Sequence, residues 1–302
     1  MSQTMSLSYA SGDAGWNVAP QVAHETVIMP RQEIIIRPVA GLNWSNLKSV
    51  LSHGELLYSM TKRQLKAEYS NMYFGFAWIL ARPLAMMLVF WMFKQLSAAR
   101  TGVEIPYPTY LYSGLIFWFF FAESVIEGSS SLERDSGLVR KVYFPRLISV
   151  LVPICANLFA LAVSAVPLVL LMIYFQLAPG WHILLLPFVL AQTAFLTLGI
   201  ACLFSVLTLL SRDWNRFLQL ALYAGLFVSP VIYLPEMVPA AVRWLYFANP
   251  LAGILLAFRA TLFADIAFPW IPWMYSVGVS LLVLVAGIVL FSRYERELLD
   301  RI

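Results

Sequence analysis

The stretch LISVLVPICANLFALAVSAVPLVLLMIYF, residues 147–175, contains no charged side chain and decides the class of fold. An α-helix crosses the hydrocarbon core of a bilayer with about 20 apolar residues, so this stretch can span it even when tilted. Pro153 and Pro167 lie inside the stretch and predict kinks. Residues 147–175 therefore predict a transmembrane helix.

Apolar stretches recur along the rest of the chain. Hydrophobic residues make up 61% of the 302 residues and charged residues only 12%, whereas an ordinary soluble domain is roughly 45–50% apolar. The other stretches long enough to span a bilayer lie at residues 76–97, 108–126, 183–210, 217–234 and 271–292. We predict an all-α integral membrane protein with six transmembrane helices.

The segments outside these spans differ in composition. Residues 1–43 are polar and interrupted by prolines, which predicts an N-terminal tail ahead of a membrane domain at 44–302. Within that domain, apolar residues at helical spacing with charges between them predict an interfacial helix at 44–72. Residues 235–268 hold a short apolar run between prolines, which predicts two re-entrant helices on the outer face.

Basic residues fall mostly on one side of the predicted spans. Cytoplasmic loops of membrane proteins are enriched in Lys and Arg. With the N-terminus inside, the inner side receives Lys62, Arg63, Lys66, Arg134, Arg140, Lys141, Arg146, Arg212, Arg216, Arg293, Arg296 and Arg301, and the outer side receives Lys94, Arg100, Arg243 and Arg259. This bias predicts a multi-pass protein with both termini in the cytoplasm, and we expect it in the cytoplasmic (inner) membrane.

The sequence lacks the motifs of an energy-converting enzyme. No stretch matches the phosphate-binding loop G-x-x-x-x-G-K-[ST], and the histidines His24, His53 and His182 have no metal-ligand spacing. The scattered basic residues argue against nucleic acid as a partner. Few ionisable residues lie in the spans, which disfavours an ion-coupled carrier. We expect no catalytic residue, metal or cofactor in this chain, and an energy source in a partner.

Six segments resemble the type-2 ABC transporter permeases that export O-antigen, capsular polysaccharide or teichoic acid. They are TKRQLKAEYSNMYFGFAWILARPL (61–84), PYPTYLYSGLIFWFFF (106–121), SSSLERDSGLVRKVYFPR (129–146), SRDWNRFLQ (211–219), LFVSPVIY (226–233) and NPLAGILLAFRATLF (249–263). The resemblance covers roughly residues 30–302 and departs from the family pattern at Arg82, where an uncharged polar residue is more usual.

The resemblance implies the membrane subunit of an ATP-driven exporter of a lipid-linked surface polysaccharide, such as the O-antigen of lipopolysaccharide. It implies a homodimer of this chain with two ATP-binding subunits, which hold ATP and Mg²⁺, and a glycan channel between the two copies. A permease for lipid or drug efflux is the alternative. A membrane acyl- or glycosyltransferase would need a polar catalytic cluster near the interface, and a passive channel would need no ATPase.

The resemblance also assigns roles to charged residues on the inner side. Residues 127–146 are expected to form a coupling loop that contacts the ATPase, with a second contact after the fourth span. Within the coupling loop, Ser131 can cap a short helix. The coupling candidates are Leu132, Glu133, Arg134, Asp135, Arg140, Lys141, Arg212 and Asp213. The inner-gate candidates on the interfacial helix are Lys62, Arg63 and Lys66, which can meet phosphate groups of lipid or substrate. A solvated loop is the alternative to the coupling role. Simple membrane anchoring explains the three gate cations about equally well.

Aromatic residues are dense on the first, second and fifth predicted spans. Sugar rings present apolar C–H faces that stack on aromatic rings, so some of these side chains are predicted to line a glycan channel. The candidates are Trp78, Phe90, Phe117, Trp118, Phe120, Tyr223, Phe227 and Tyr233. Aromatic residues also gather at bilayer interfaces, and this structural explanation applies to each ring taken alone.

Overall fold

The computed structural model describes residues 52–70, 75–96, 105–139, 144–234 and 248–301, all within one compact unit. The predicted tail at 1–43 lies outside the described residues. The helices are α1 (Gly54–Tyr69), α2 (Ala77–Leu96), α3 (Tyr107–Arg134), α4 (Ser136–Val139), α5 (Leu147–Tyr174), α6 (Leu186–Leu210), α7 (Asp213–Val228), α8 (Pro250–Leu262) and α9 (Trp270–Arg301). A short 3-10 helix, Trp181–Leu185, leads directly into α6. Below, "inner" and "outer" refer to the predicted orientation.

Five helical stretches in the described part of the chain are long and apolar enough to cross a membrane, which confirms the all-α membrane class. They are Ala77–Lys94, Tyr107–Arg134, Leu147–Tyr174, Trp181–Leu210 and Trp270–Tyr294. The predicted span at 217–234 is replaced by α7, which has 16 residues, begins earlier and ends at Val228. It ends there because Ser229 is extended and precedes Pro230, which disfavours helical backbone before it.

α3 is the central helix of the fold. It contacts α2, α5, α6, α7 and α8. Leu111, Leu115 and Val125 on this helix are fully buried. α2 lies at the edge of this compact unit, and most of its length is exposed. The fold therefore places a covered helix beside one that is free to face lipid or another protein.

α6 and α9 cross at two glycines. A Cβ added to Gly199 would lie 2.7 Å from the backbone nitrogen of Leu284. A Cβ on Gly287 would collide with the carbonyl oxygen of Gly199. Small residues let membrane helices approach closely enough for their backbones to touch. The crossing thus depends on the absence of side chains at both positions.

Gly199→Ala is expected to destabilise the protein, because the added methyl group would meet backbone that cannot move aside. Overpacking of this kind costs about 1–3 kcal/mol. Gly278→Ala is the matched control, since it lies on α9 and its Cβ would meet nothing within 4 Å. Thermal unfolding of each purified variant in detergent measures the loss of stability. Equal unfolding temperatures for the two variants would contradict the close crossing.

The segment 127–146 is helical through its first half, which corrects the predicted loop. α3 continues to Arg134, and Ser131 lies inside it with its Oγ donating to the carbonyl of Gly128 at 2.8 Å. The prediction that Ser131 caps a short helix was wrong. Leu132 is fully buried against Val150 and Ala201, so core packing carries the helix past the apolar run.

Two further predicted segments are described in part. α1 lies within the predicted interfacial segment and packs Met60 against Phe144 and Ile148. On the outer side, α8 is one short helix, and its first turn is capped by Asn249, whose Oδ1 accepts from the backbone nitrogen of Leu251 at 3.0 Å. Residues 44–51 and 235–247, the remainder of these two predictions, lie outside the described residues.

Candidate functional site

The inner ends of α3 and α7 meet through two residues predicted to couple to an ATPase. Arg212 Nη2 lies 2.8 Å from Glu133 Oε1, although the two residues are 79 positions apart in the chain. The side chains are 84% and 42% exposed, so water reaches both charges. A pair this exposed contributes only about 0–1 kcal/mol to stability. Its charges are therefore available to a partner.

Other coupling candidates surround this pair. Arg134 is exposed at the end of α3, and Asp135 follows it as the C-terminal cap. Asp213 begins α7 and lies 3.7 Å from Arg216. We call Glu133, Arg134, Asp135, Arg212 and Asp213 the coupling face.

The three remaining coupling candidates are not counted in this face. Leu132 is fully buried beneath it, where it supports the backbone that carries Glu133. Arg140 and Lys141 lie outside the described residues. The structure therefore brings together residues from both predicted contact regions, and their joint role in coupling stays a prediction.

The predicted gate cations Lys62, Arg63 and Lys66 are exposed on α1. The opposite side of α1 is held to the protomer by Met60 and by Gln64, whose Nε2 donates to Glu127 Oε2 at 2.9 Å. α1 is thus anchored on one side and presents its cations on the other.

The predicted channel aromatics divide into two groups. Trp78, Tyr223 and Phe227 are 55%, 72% and 60% exposed, and Phe90 and Tyr233 are half-buried. The buried rings are Phe117, Trp118 and Phe120.

The buried group fills the interior of the fold. The Phe117 ring lies 5.0 Å from the ring of Phe258, centroid to centroid. Trp118 lies against Gly225 of α7, where an added Cβ would come within 2.9 Å of the indole. Because a covered ring offers no face to a passing sugar, the channel prediction stays with the five rings that keep accessible surface.

The exposed aromatics continue into apolar faces on two helices. Trp214, Phe217, Leu220, Tyr223 and Phe227 recur every three or four residues along α7, and all are more than 40% exposed. On α2 the exposed large apolar side chains include Trp78, Leu88, Trp91, Met92 and Phe93, all more than 40% exposed. Both faces suit contact with lipid or with a second membrane subunit.

Arg259 has a structural role that the sequence analysis did not assign. It was predicted only as an outer-side cation, but it is fully buried. Nη1 donates to the carbonyl of Pro230 at 2.6 Å, and Nη2 donates to those of Val231 at 2.7 Å and Tyr110 at 3.1 Å. The guanidinium carbon also lies 3.6 Å from the centroid of the Tyr110 ring. We call these contacts the Arg259 clamp, which joins α8, α3 and the turn after α7.

Gly114 makes room for the clamp. A Cβ at this position would collide with the guanidinium of Arg259 and lie 2.9 Å from the carbonyl oxygen of Val231. A charge inside the apolar run LLAFRATLF was the available signal for this site, because an ionised side chain in such a run needs internal partners.

Two further observations on the described side chains concern metal ligands and protonation. In the ranges that the structure describes, no group of three or more His, Cys, Asp and Glu residues could hold a metal ion. Burial, with a smaller contribution from Glu68, raises the pKa of Tyr69 on α1. The phenol of Tyr69 therefore stays protonated at neutral pH and can donate a hydrogen bond.

Comparison with known proteins gives a consistent group of matches. The family model described as ABC-2 type transporter matches residues 55–263, from α1 to the end of α8. The O-antigen export system permease protein RfbA of Klebsiella pneumoniae is 27% identical over 248 residues, which cover 80% of this chain and 92% of that protein. The protein of the same name from Myxococcus xanthus is 26% identical, and the match covers 85% of this chain and 98% of that protein. The polysialic acid transport protein KpsM of Escherichia coli is 22% identical, and the match covers 78% of this chain and 92% of that protein.

Proposed function

The chain belongs to the ABC-2 type transporter family, and on this premise we propose that it is the membrane subunit of an ATP-driven exporter of a lipid-linked surface polysaccharide, such as O-antigen or capsule. The observation that carries the proposal is its similarity, over most of its length, to proteins whose names specify O-antigen export or polysialic acid transport. The names of these relatives favour a glycan over a drug or lipid as the transported molecule.

The proposed assembly contains two copies of this chain and two ATP-binding subunits in the cytoplasmic (inner) membrane. The partner subunits hold ATP and Mg²⁺, and this chain contributes no cofactor. α7 makes the sixth crossing together with the turn that follows it, and both termini are cytoplasmic. The exposed rings Trp78, Tyr223 and Phe227 line the channel where the copies meet, and Lys62, Arg63 and Lys66 flank its inner mouth. The outer segment at 235–268 closes the exit.

The proposed coupling runs through α3. Its 28 residues correspond to a length of about 42 Å, and its inner end carries Glu133 while its outer end carries Tyr110. α2 and α5 contain internal prolines, whereas the prolines of α3 lie at its start. A continuous helix is stiff, so a displacement of the coupling face by the ATPase reaches the Arg259 clamp and the outer segment.

Reconstitution tests the proposed function. The chain and its ATP-binding partner are placed in vesicles with a lipid-linked glycan on the ATPase side, and glycan on the opposite side is measured with a lectin. We expect movement that requires ATP and stops with a Walker-motif variant of the partner. A complex that moves a dye or a phospholipid with ATP, but no glycan, would support the lipid or drug efflux alternative instead.

A further inference from the structure

A cavity of about 830 Å³ opens between α1, α2, α3 and α5, and we call it the inner cavity. α1 contributes Glu68 and Tyr69, and Trp78 at the start of α2 forms part of the rim. In the proposed orientation these elements place the cavity at the cytoplasmic side of the bilayer, beside the helix that carries the gate cations. Its volume falls within the range of roughly 300–1,000 Å³ that is usual for small-molecule sites.

The wall of the inner cavity combines charge with aromatic surface. Arg82 Nη1 forms an ion pair with Glu123 Oε1, and its guanidinium carbon lies 5.6 Å from the centroid of the Phe119 ring. Both partners belong to helices that cross the membrane by length and composition. Ionised side chains at such positions are costly, and their retention in membrane helices usually marks a functional site.

The net charge of this wall disfavours an anion. The charged lining residues are Glu68, Arg82 and Glu123, which sum to one positive and two negative charges, or −1. Glu123 already neutralises Arg82, so an entering phosphate or carboxylate would meet an excess of negative charge. The inner cavity is therefore a poor site for a phosphate group, although the nearby cations of α1 could serve one.

A lipid tail is also a poor occupant. An acyl chain would remove water from Glu68, Arg82, Glu123 and Asn157 without replacing its hydrogen bonds. A neutral sugar carries no charge for the wall to repel. Its hydroxyls donate and accept hydrogen bonds in place of water, and its C–H faces stack on rings such as Trp78 and Phe119. A guanidinium has five N–H donors, so Arg82 can bind a hydroxyl while it keeps its contact with Glu123.

We propose that the inner cavity is a glycan-binding subsite that takes neutral sugar units and disfavours anionic ones such as sialic or uronic acids. This inference rests on the proposed function and narrows its substrate class. Trp78 stacks on the sugar ring, and Arg82, Glu123 and Asn157 bind its hydroxyls. Glu68 supplies the excess negative charge that repels acidic sugars.

The test uses the full transporter with its ATP-binding partner in nanodiscs, and two fluorescent probes, a mannose hexamer and a sialic acid hexamer. We expect the wild-type complex to bind the mannose hexamer more tightly. Trp78→Ala should weaken that binding by about two- to tenfold, the scale of one aromatic stacking contact. Trp78→Phe should restore most of it, and Trp181→Ala, at a ring that is 66% exposed outside the cavity, should leave it unchanged.

The charge is tested separately by Glu68→Gln, which leaves the pair of Arg82 and Glu123 in place. Removing one like charge should tighten binding of the sialic acid hexamer by about tenfold, with little change for the mannose hexamer. Equal binding by Trp78→Ala and Trp181→Ala, or an unchanged preference in Glu68→Gln, would overturn the subsite. A subsite failure leaves glycan transport by the wild-type complex intact, whereas failure of the proposed function appears as no glycan transport in any variant.

Discussion

Arg259→Met is expected to lower the stability of the protein by about 2–6 kcal/mol, because the buried carbonyls of Pro230 and Val231 each lose a donor worth about 1–3 kcal/mol. Met fills similar volume but donates no hydrogen bond. Since α8 and the turn after α7 are joined through this side chain, we expect the outer segment to separate from α3. Thermal unfolding in detergent and surface glycan in a complemented deletion strain measure the two effects.

Two further variants show whether the loss of stability comes from the hydrogen bonds of the clamp or from the charge of Arg259. Arg259→Lys keeps the charge but has no planar fork to reach three carbonyls, so it should recover only part of the stability. Gly114→Ala should act in the same direction as Arg259→Met, because its methyl group occupies the space of the guanidinium. Arg293→Met, at an exposed position on α9, is the control. If Arg259→Met unfolds at the temperature of this control, the clamp does not hold the outer segment.

The second large effect is expected at the coupling face. Replacing Glu133 and Asp135 together by Ala should abolish glycan export and weaken association with the ATP-binding partner, because both charges are accessible at the inner end of the stiff helix α3. The exposed pair with Arg212 contributes only about 0–1 kcal/mol, so the unfolding temperature should barely change. Surface glycan, co-purification of the partner and thermal unfolding report the three quantities. Full export in the double variant would count heavily against the coupling role.

A charge exchange separates the contact within the protomer from the contact with the partner. Glu133→Arg combined with Arg212→Glu retains an ion pair between α3 and α7 but reverses both charges presented outward. We expect export to stay lost in this double variant, since the ATPase would meet the wrong sign at each position. Recovery of export would assign the residues to holding α3 and α7 together instead.

The sequence predicted the spans well where length and apolarity alone decide them. The stretch 147–175 became α5, Leu147–Tyr174, because a long uncharged run has one stable arrangement in lipid. The inner end of α3 was less predictable. Ser131 has the chemistry of a cap, but the packing of Leu132 against Ala201, 69 positions away, extends the helix past it.

The sequence indicated which residues belong to the candidate site, but it did not indicate which of them contact each other. Glu133 and Arg212 were both assigned to coupling from their positions between spans, but their contact depends on how α3 and α7 pack. The run FWFFF at 117–121 is aromatic on every side of a helix, as membrane spans often are, so it did not distinguish the buried rings Phe117, Trp118 and Phe120 from exposed ones. The carbonyl partners of Arg259 come from segments 28 and 149 positions away, which no local pattern reveals.

The Arg259 clamp also has a consequence for biogenesis. Tyr110, Pro230 and Val231 all precede Arg259 in the chain. Their backbone carbonyls are therefore synthesised before the arginine that donates to them. A nascent chain that stopped before residue 249 would leave those carbonyls without their donor and the outer turn unsecured. Premature termination should therefore yield a fragment that inserts into the membrane but lacks the clamp. We expect membrane proteases to degrade this fragment faster than the complete chain.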